Sequence, residues 1–153
     1  ILKDFDKIDT SKPLTHGEKL FLEHGFTGIR GEIQNGLEVV FKGSLPIFNK
    51  TLAQTNNFNL TAVQTLIFLM SKVMDSTIVY RHDFETLHEV KTQMENIFND
   101  GGIFIENSTE FFNRLEKEYI GRRISPGGSA DLLAITIFFY KVHKIFDNLK
   151  VKF

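Results

Sequence analysis

Apolar positions recur along this chain at spacings of three and four rather than two, which is a helical period. Thr15-His16-Gly17-Glu18 reads as a capping box, followed by Leu20, Phe21 and His24, with Gly25 as the stop. From Gly31 to Phe41, residues Ile33, Leu37, Val40 and Phe41 keep the same spacing. Ser44 and Pro46 read as an N-cap and an early helical proline, opening a helix that runs through Ala53. Asn59 is placed to cap a helix carrying Leu60, Val63, Leu66, Ile67 and Met70. Asp83 is placed to cap the next, with Phe84, Leu87, Val90, Met94, Ile97 and Phe98 as its stripe and Gly101-Gly102 as its end. Ser108 opens a helix holding Phe111, Phe112, Leu115 and Tyr119, and the last helix runs from about Ser129 to about Asn148. Gly102-Ile103-Phe104-Ile105 is the one weak strand candidate. The expected fold is all-α, a bundle-like array of about six or seven short helices. Residues 1–13 read as a lead-in or linker, and residues 14–153 as one helical domain.

Composition narrows the function classes. A chain of 153 residues can bury a core of its own. Its 18 basic and 19 acidic side chains nearly cancel, which argues against nucleic acid and against a membrane surface as partners. The absence of cysteine excludes disulfides, thiolate zinc sites and cysteine nucleophiles, and fits a cytoplasmic protein. The longest apolar runs, Leu66–Met70 and Leu132–Tyr140, fall far short of the ~20 residues a bilayer needs. The abrupt start at Ile1, without a methionine or a signal-peptide pattern, suggests a piece of a longer protein.

Three segments carry candidate chemistry. Ser125-Pro126-Gly127-Gly128-Ser129-Ala130-Asp131 is a glycine-opened turn feeding a helix N-terminus, where free N–H groups and the macrodipole suit phosphate. Ala134, Ile135 and Phe138 follow Asp131 at three, four and seven residues. This places Asp131 on an apolar face, where a carboxylate must be paired, capping or metal-bound. The plain alternative is a turn with Asp131 as a helix cap. In Gly28-Ile29-Arg30-Gly31-Glu32, Arg30 offers a fork for phosphate and Glu32 a metal ligand or base, or the two form a surface pair in a connector. Asp75-Ser76-Thr77 through Arg81-His82-Asp83 gathers acids, hydroxyls, an arginine and a histidine; Asp75 and Arg81 can reach a nucleotide or metal, or serve as loop and cap chemistry. His82-Asp83 alone is too little for a metal-dependent phosphohydrolase.

Together these segments resemble the triphosphoribosyl-dephospho-coenzyme A synthase family, whose members make the prosthetic-group precursor of citrate lyase, with relatives serving malonate decarboxylase. The likeness rests on Gly28-Ile29-Arg30-Gly31-Glu32 with Gly36 and Leu45-Pro46, the helix ending at Met70, the Asp75 loop with Arg81, and Ser125 through Leu133. It extends from about His16 to about Tyr140. Thr77 stands where the family usually has asparagine, and His82-Asp83 where many members have glycines. Family members look about twice as long, and their Pro-Lys-Pro-Gly and Thr-His-Lys-Gly motifs are absent here, so the chain resembles a C-terminal half.

The resemblance implies transfer of the triphosphoribosyl group of ATP to the ribose 2′-hydroxyl of dephospho-coenzyme A, with release of adenine. It implies magnesium as cofactor, ATP and dephospho-coenzyme A as ligands, and an N-terminal half or a second copy as partner. The implied phosphate contacts are Arg30, Arg81, Ser125, Gly127, Gly128 and Ser129. Asp131 and Glu32 are the implied catalytic groups, and Asp131, Glu32 and Asp75 the implied magnesium ligands. The rival reading is a non-catalytic helical module that binds nucleotide or completes a partner's site.

Overall fold

The computed structural model describes residues 8–149. Residues 1–7 of the expected lead-in, and residues 150–153, lie outside the described residues. The described chain holds eight α-helices and no strand. They are α1 (His16–His24), α2 (Gly28–Gln34), α3 (Leu45–Thr55), α4 (Phe58–Lys72), α5 (Ser76–Arg81), α6 (Phe84–Asn99), α7 (Ser108–Arg122) and α8 (Gly127–Asn148). A π-helical turn, Val40–Ser44, leads into α3, and a 3₁₀ turn, Gly102–Phe104, replaces the weak strand candidate.

Helix α4 is the hub, with α6 packed along one side and α3 and α8 along the other. It feeds both apolar clusters. Ile67 and Met70 join Leu87, Val90, Met94, Tyr119 and Ile124 in one. Leu69 joins Val40, Val73 and Leu132 in the other. The polar side chains that α4 buries are satisfied: Thr61 and Thr65 each donate back one turn, at 2.7 and 2.8 Å, and Gln64 accepts the Ile103 N–H at 2.9 Å. Burial also pushes the Tyr119 phenol well above its ordinary pKa, and its hydroxyl donates to Gln93 at 2.7 Å.

Local signals explain most boundaries. Thr15 and Glu18 form the expected capping box, and Gly25 ends α1 in the left-handed region at φ 65°. Asp83 caps α6 through the Thr86 N–H at 2.7 Å. That hydrogen bond holds the Asp83 carboxyl below the usual carboxylate range.

Three expectations change. The Gly31–Phe41 helix is broken by a Schellman turn, in which Gly36 (φ 73°) donates to the Ile33 carbonyl and Leu37 to that of Glu32. Asn57, not Asn59, caps α4, accepting the Leu60 N–H at 3.1 Å. Ser44 is not a cap, because helical backbone runs on from the π turn into α3. Pro46 cannot donate to residue 42, and the widened turn, closed by Leu45 N–H to the Val40 carbonyl, accommodates the missing bond. The freed Ser44 hydroxyl meets Thr136 Oγ1 at 2.6 Å in a fully buried contact. Thr136 spends its own proton on the Leu132 carbonyl, so Ser44 is the donor, and the pair ties the π turn to α8.

Candidate functional site

Three helix N-termini meet at one place. Gly28 opens α2, Ser76 opens α5 and Gly127 opens α8. A Cβ added at Gly28 would lie 3.3 Å from Ser76 Oγ. One added at Gly127 would lie 2.6 Å from Thr77 Oγ1. Real Cβ atoms do not approach that closely, so α5 and α8 touch there only because residue 127 has no side chain. Gly127→Ala is expected to force the two helices apart and lower thermal stability, with Thr77→Ala in the same chain restoring most of the loss. Equal melting temperatures for Gly127→Ala and the parent would contradict this packing.

Asp75 sits at the centre and is 1% exposed. Its Oδ1 accepts the N–H groups of Thr77 at 2.9 Å and Gly128 at 3.1 Å. Its Oδ2 accepts Ser129 N–H at 2.8 Å and Ser129 Oγ at 2.9 Å. One carboxylate therefore caps its own helix, α5, and a second helix far along the chain. The remaining donors at the start of α8 are also engaged: Gly127 N–H to the Ser125 carbonyl and Ala130 N–H to that of Pro126, at 3.0 and 2.9 Å. The first four N–H groups of α8 are thus all partnered within the chain, and Asp75 holds the place of an anion at that terminus.

The other expected residues separate into two sets. Arg30 is exposed and lines a cleft of about 190 Å³ between α2 and the start of α5, with Phe26, Thr27, Gly28, Ile29 and Ser76. Glu32 is half-buried, three residues on from Ile29, which packs against the cluster holding Leu132. Both belong to the region where the three termini meet. Arg81, also exposed, stands at the far end of α5, about 8 Å along its axis. Beside it, His82 Nε2 contacts the Arg123 carbonyl at 3.2 Å, so these two residues stay out of the cluster.

Asp131 departs from its expected surroundings. It is the fifth residue of α8 and is exposed, so its carboxylate is solvated rather than buried. The face that it shares with Ala134 and Phe138 is apolar but turned outward. Among the described residues, no three His, Asp or Glu side chains converge to hold a metal, so Asp131, Glu32 and Asp75 do not form one ligand cluster. Sequence reasoning missed Ser76 and Thr77 as the contacts that bring the termini together. The available signal was the run of small residues on each side of the joint, Ser76-Thr77 and Gly127-Gly128.

Comparison with known proteins bears on this geometry. A family model described as ATP:dephospho-CoA triphosphoribosyl transferase matches residues 2–149. The chain is 39% identical over 129 residues to the 2-(5''-triphosphoribosyl)-3'-dephosphocoenzyme-A synthase of Escherichia fergusonii, covering 84% of this chain and 41% of that relative. It is 39% identical over 133 residues to a probable synthase of the same name from Malonomonas rubra, covering 87% and 42%. It is 36% identical over 125 residues to the Klebsiella pneumoniae synthase, covering 82% and 41%. The chain therefore spans about two fifths of the length of these curated relatives. No solved structure matches it.

Proposed function

Since the chain belongs to the ATP:dephospho-CoA triphosphoribosyl transferase family, we propose that it forms the nucleotide-binding part of a site that transfers the triphosphoribosyl group of ATP to dephospho-coenzyme A. The observation that carries this reading is the meeting of three helix N-termini beside Arg30. Each terminus contributes up to about half a positive charge, roughly 1.5 in sum. The Asp75 carboxylate offsets about one of these, and Arg30 adds one back. Glu32 and Asp131 beside the same termini take away about two more, so the region carries no net positive field of its own. Because the α8 amides are already partnered, by Asp75 and by the Ser125 and Pro126 carbonyls, the direct hydrogen bonds to the triphosphate come from the Arg30 fork.

In the reaction, the ribose 2′-hydroxyl oxygen of dephospho-coenzyme A bonds to the anomeric carbon of ATP as its N-glycosidic bond to adenine breaks. The transition state has oxocarbenium character, as in glycoside chemistry. Asp131 and Glu32 are the carboxylates left for catalysis, because the oxygens of Asp75 already accept four hydrogen bonds. Asp131 is exposed at the lip of the cluster and takes the hydroxyl proton. The proton that the departing adenine needs comes from the rest of the synthase polypeptide. Magnesium binds through one or two carboxylates plus substrate phosphates, a donor set that Glu32 and Asp131 fit and Asp75 does not. When bound, it neutralises triphosphate charge. The reaction takes place in the cytoplasm, and its product is the prosthetic-group precursor of citrate lyase or malonate decarboxylase.

Two measurements test the reading. Magnesium-ATP should bind this chain saturably, and Arg30→Ala should weaken binding roughly 10- to 100-fold, the value of a charge-assisted phosphate contact. An unchanged affinity would remove Arg30 from the clamp. Adenine release that requires dephospho-coenzyme A should appear when the chain is combined with the remaining part of a synthase. Release from the chain alone would place the whole site in these residues. Absence of release from every combination would sink the reaction and favour the non-catalytic module.

A further inference from the structure

Helix α8 is covered on one side only. Its buried residues Gly128, Ser129, Leu132 and Thr136 face α5, the π turn and α4. On the opposite side, Asp131, Ala134, Phe138, Lys141 and Ile145 follow one another at steps of three and four, so they share a face. All five are exposed, Phe138 at 60% and Ile145 at 56%. A helix facing water on one side ordinarily carries charge there, and this face holds only Asp131 and Lys141. The apolar surface also spreads sideways. Phe138 meets Phe139 edge-on at 5.4 Å, and Phe139 meets Phe41 of the π turn at 4.7 Å, with Phe41 itself 42% exposed. Contiguous apolar surface of this kind marks a contact site.

Two observations say what covers it. The Escherichia fergusonii synthase devotes nearly three fifths of its length to sequence outside the matched stretch. The stripe also begins at Asp131, one turn above Ala134, so whatever lies on it borders the candidate site. A second copy is the competing occupant, since antiparallel pairing of two α8 helices about Thr136 would set Asp131 against Lys141 of its mate, and sedimentation separates the two.

We propose that the outer face of α8, with Phe41 beside it, is the docking surface for the part of the synthase polypeptide outside the matched stretch, and that docking closes the site next to Asp131. The proposal rests on the family reading above. The test is co-expression of this chain with the portion of the Escherichia fergusonii synthase outside its matched 129 residues, followed by co-purification and sedimentation velocity. A one-to-one complex is expected. Phe138→Asp and, separately, Ile145→Lys should each weaken it at least 100-fold with unchanged circular dichroism. Phe104→Asp, on an equally exposed phenylalanine of the 3₁₀ turn, should leave it intact. No complex with the parent chain, a complex indifferent to both α8 variants, or a homodimer that Phe138→Asp dissolves would each overturn the proposal. Adenine release is read separately. A Phe138-dependent complex that releases no adenine keeps the docking surface and defeats the reaction, whereas release indifferent to Phe138→Asp does the opposite.

Discussion

Asp75→Ala is expected to lower the stability of this domain by about 4 kcal/mol, because it strands three N–H donors and a hydroxyl, most of them buried, at about 1–3 kcal/mol for each fully buried one. For a chain of this size the melting temperature should fall by about 10–15 °C. Asp75→Asn keeps the shape but presents an N–H₂ group to one pair of donors, so about half that loss is expected. Thermal unfolding followed by circular dichroism, without magnesium or nucleotide, separates this role from metal binding. A fall of less than about 3 °C would mean that water replaces the carboxylate, and the clamp would lose its structural meaning.

Asp131→Ala should have the opposite profile. Its side chain is exposed, so folding should be nearly indifferent, with a change inside the roughly 0.5 kcal/mol common for surface substitutions. In the assembled synthase, turnover should fall about 10³-fold, within the range for losing a positioned acid–base group. Substrate dependence of adenine release, measured for the parent and the variant, checks this. Activity within tenfold of the parent would take Asp131 out of the chemistry and leave Glu32 as the base.

These two carboxylates also mark how far the sequence could be read. Elements whose determinants lie within a few residues were legible: the Thr15–Glu18 capping box, the Asp83 cap and the long stripe of α6. Helix α5 was not, because its six residues are too few to display a period. Periodicity placed Asp131 on an apolar face correctly, but it cannot say which side of a bundle a face looks toward, and this one looks outward. Thus burial was expected where exposure is found. Asp75 was legible only as an acid in the segment after an apolar helix, free for ligand or for loop and cap chemistry, while its duty at α8 depends on partners 53 and 54 residues away, which no local pattern encodes. The Ser44 cap failed for a related reason: the Ser-x-Pro signature was present, but the chain entered that helix already coiled.

The shared carboxylate has a consequence for the order of folding. The first turn of α8 can be capped only once α8 has docked against α4 and α5, because that step brings Asp75 to it across more than fifty intervening residues. Closing so long a loop is slow and is rewarded late. Once made, the joint makes the two helix starts a single cooperative unit, since neither can fray without releasing the other's cap. The region proposed to receive ATP thus depends on a contact between distant parts of the chain, and it opens as a whole.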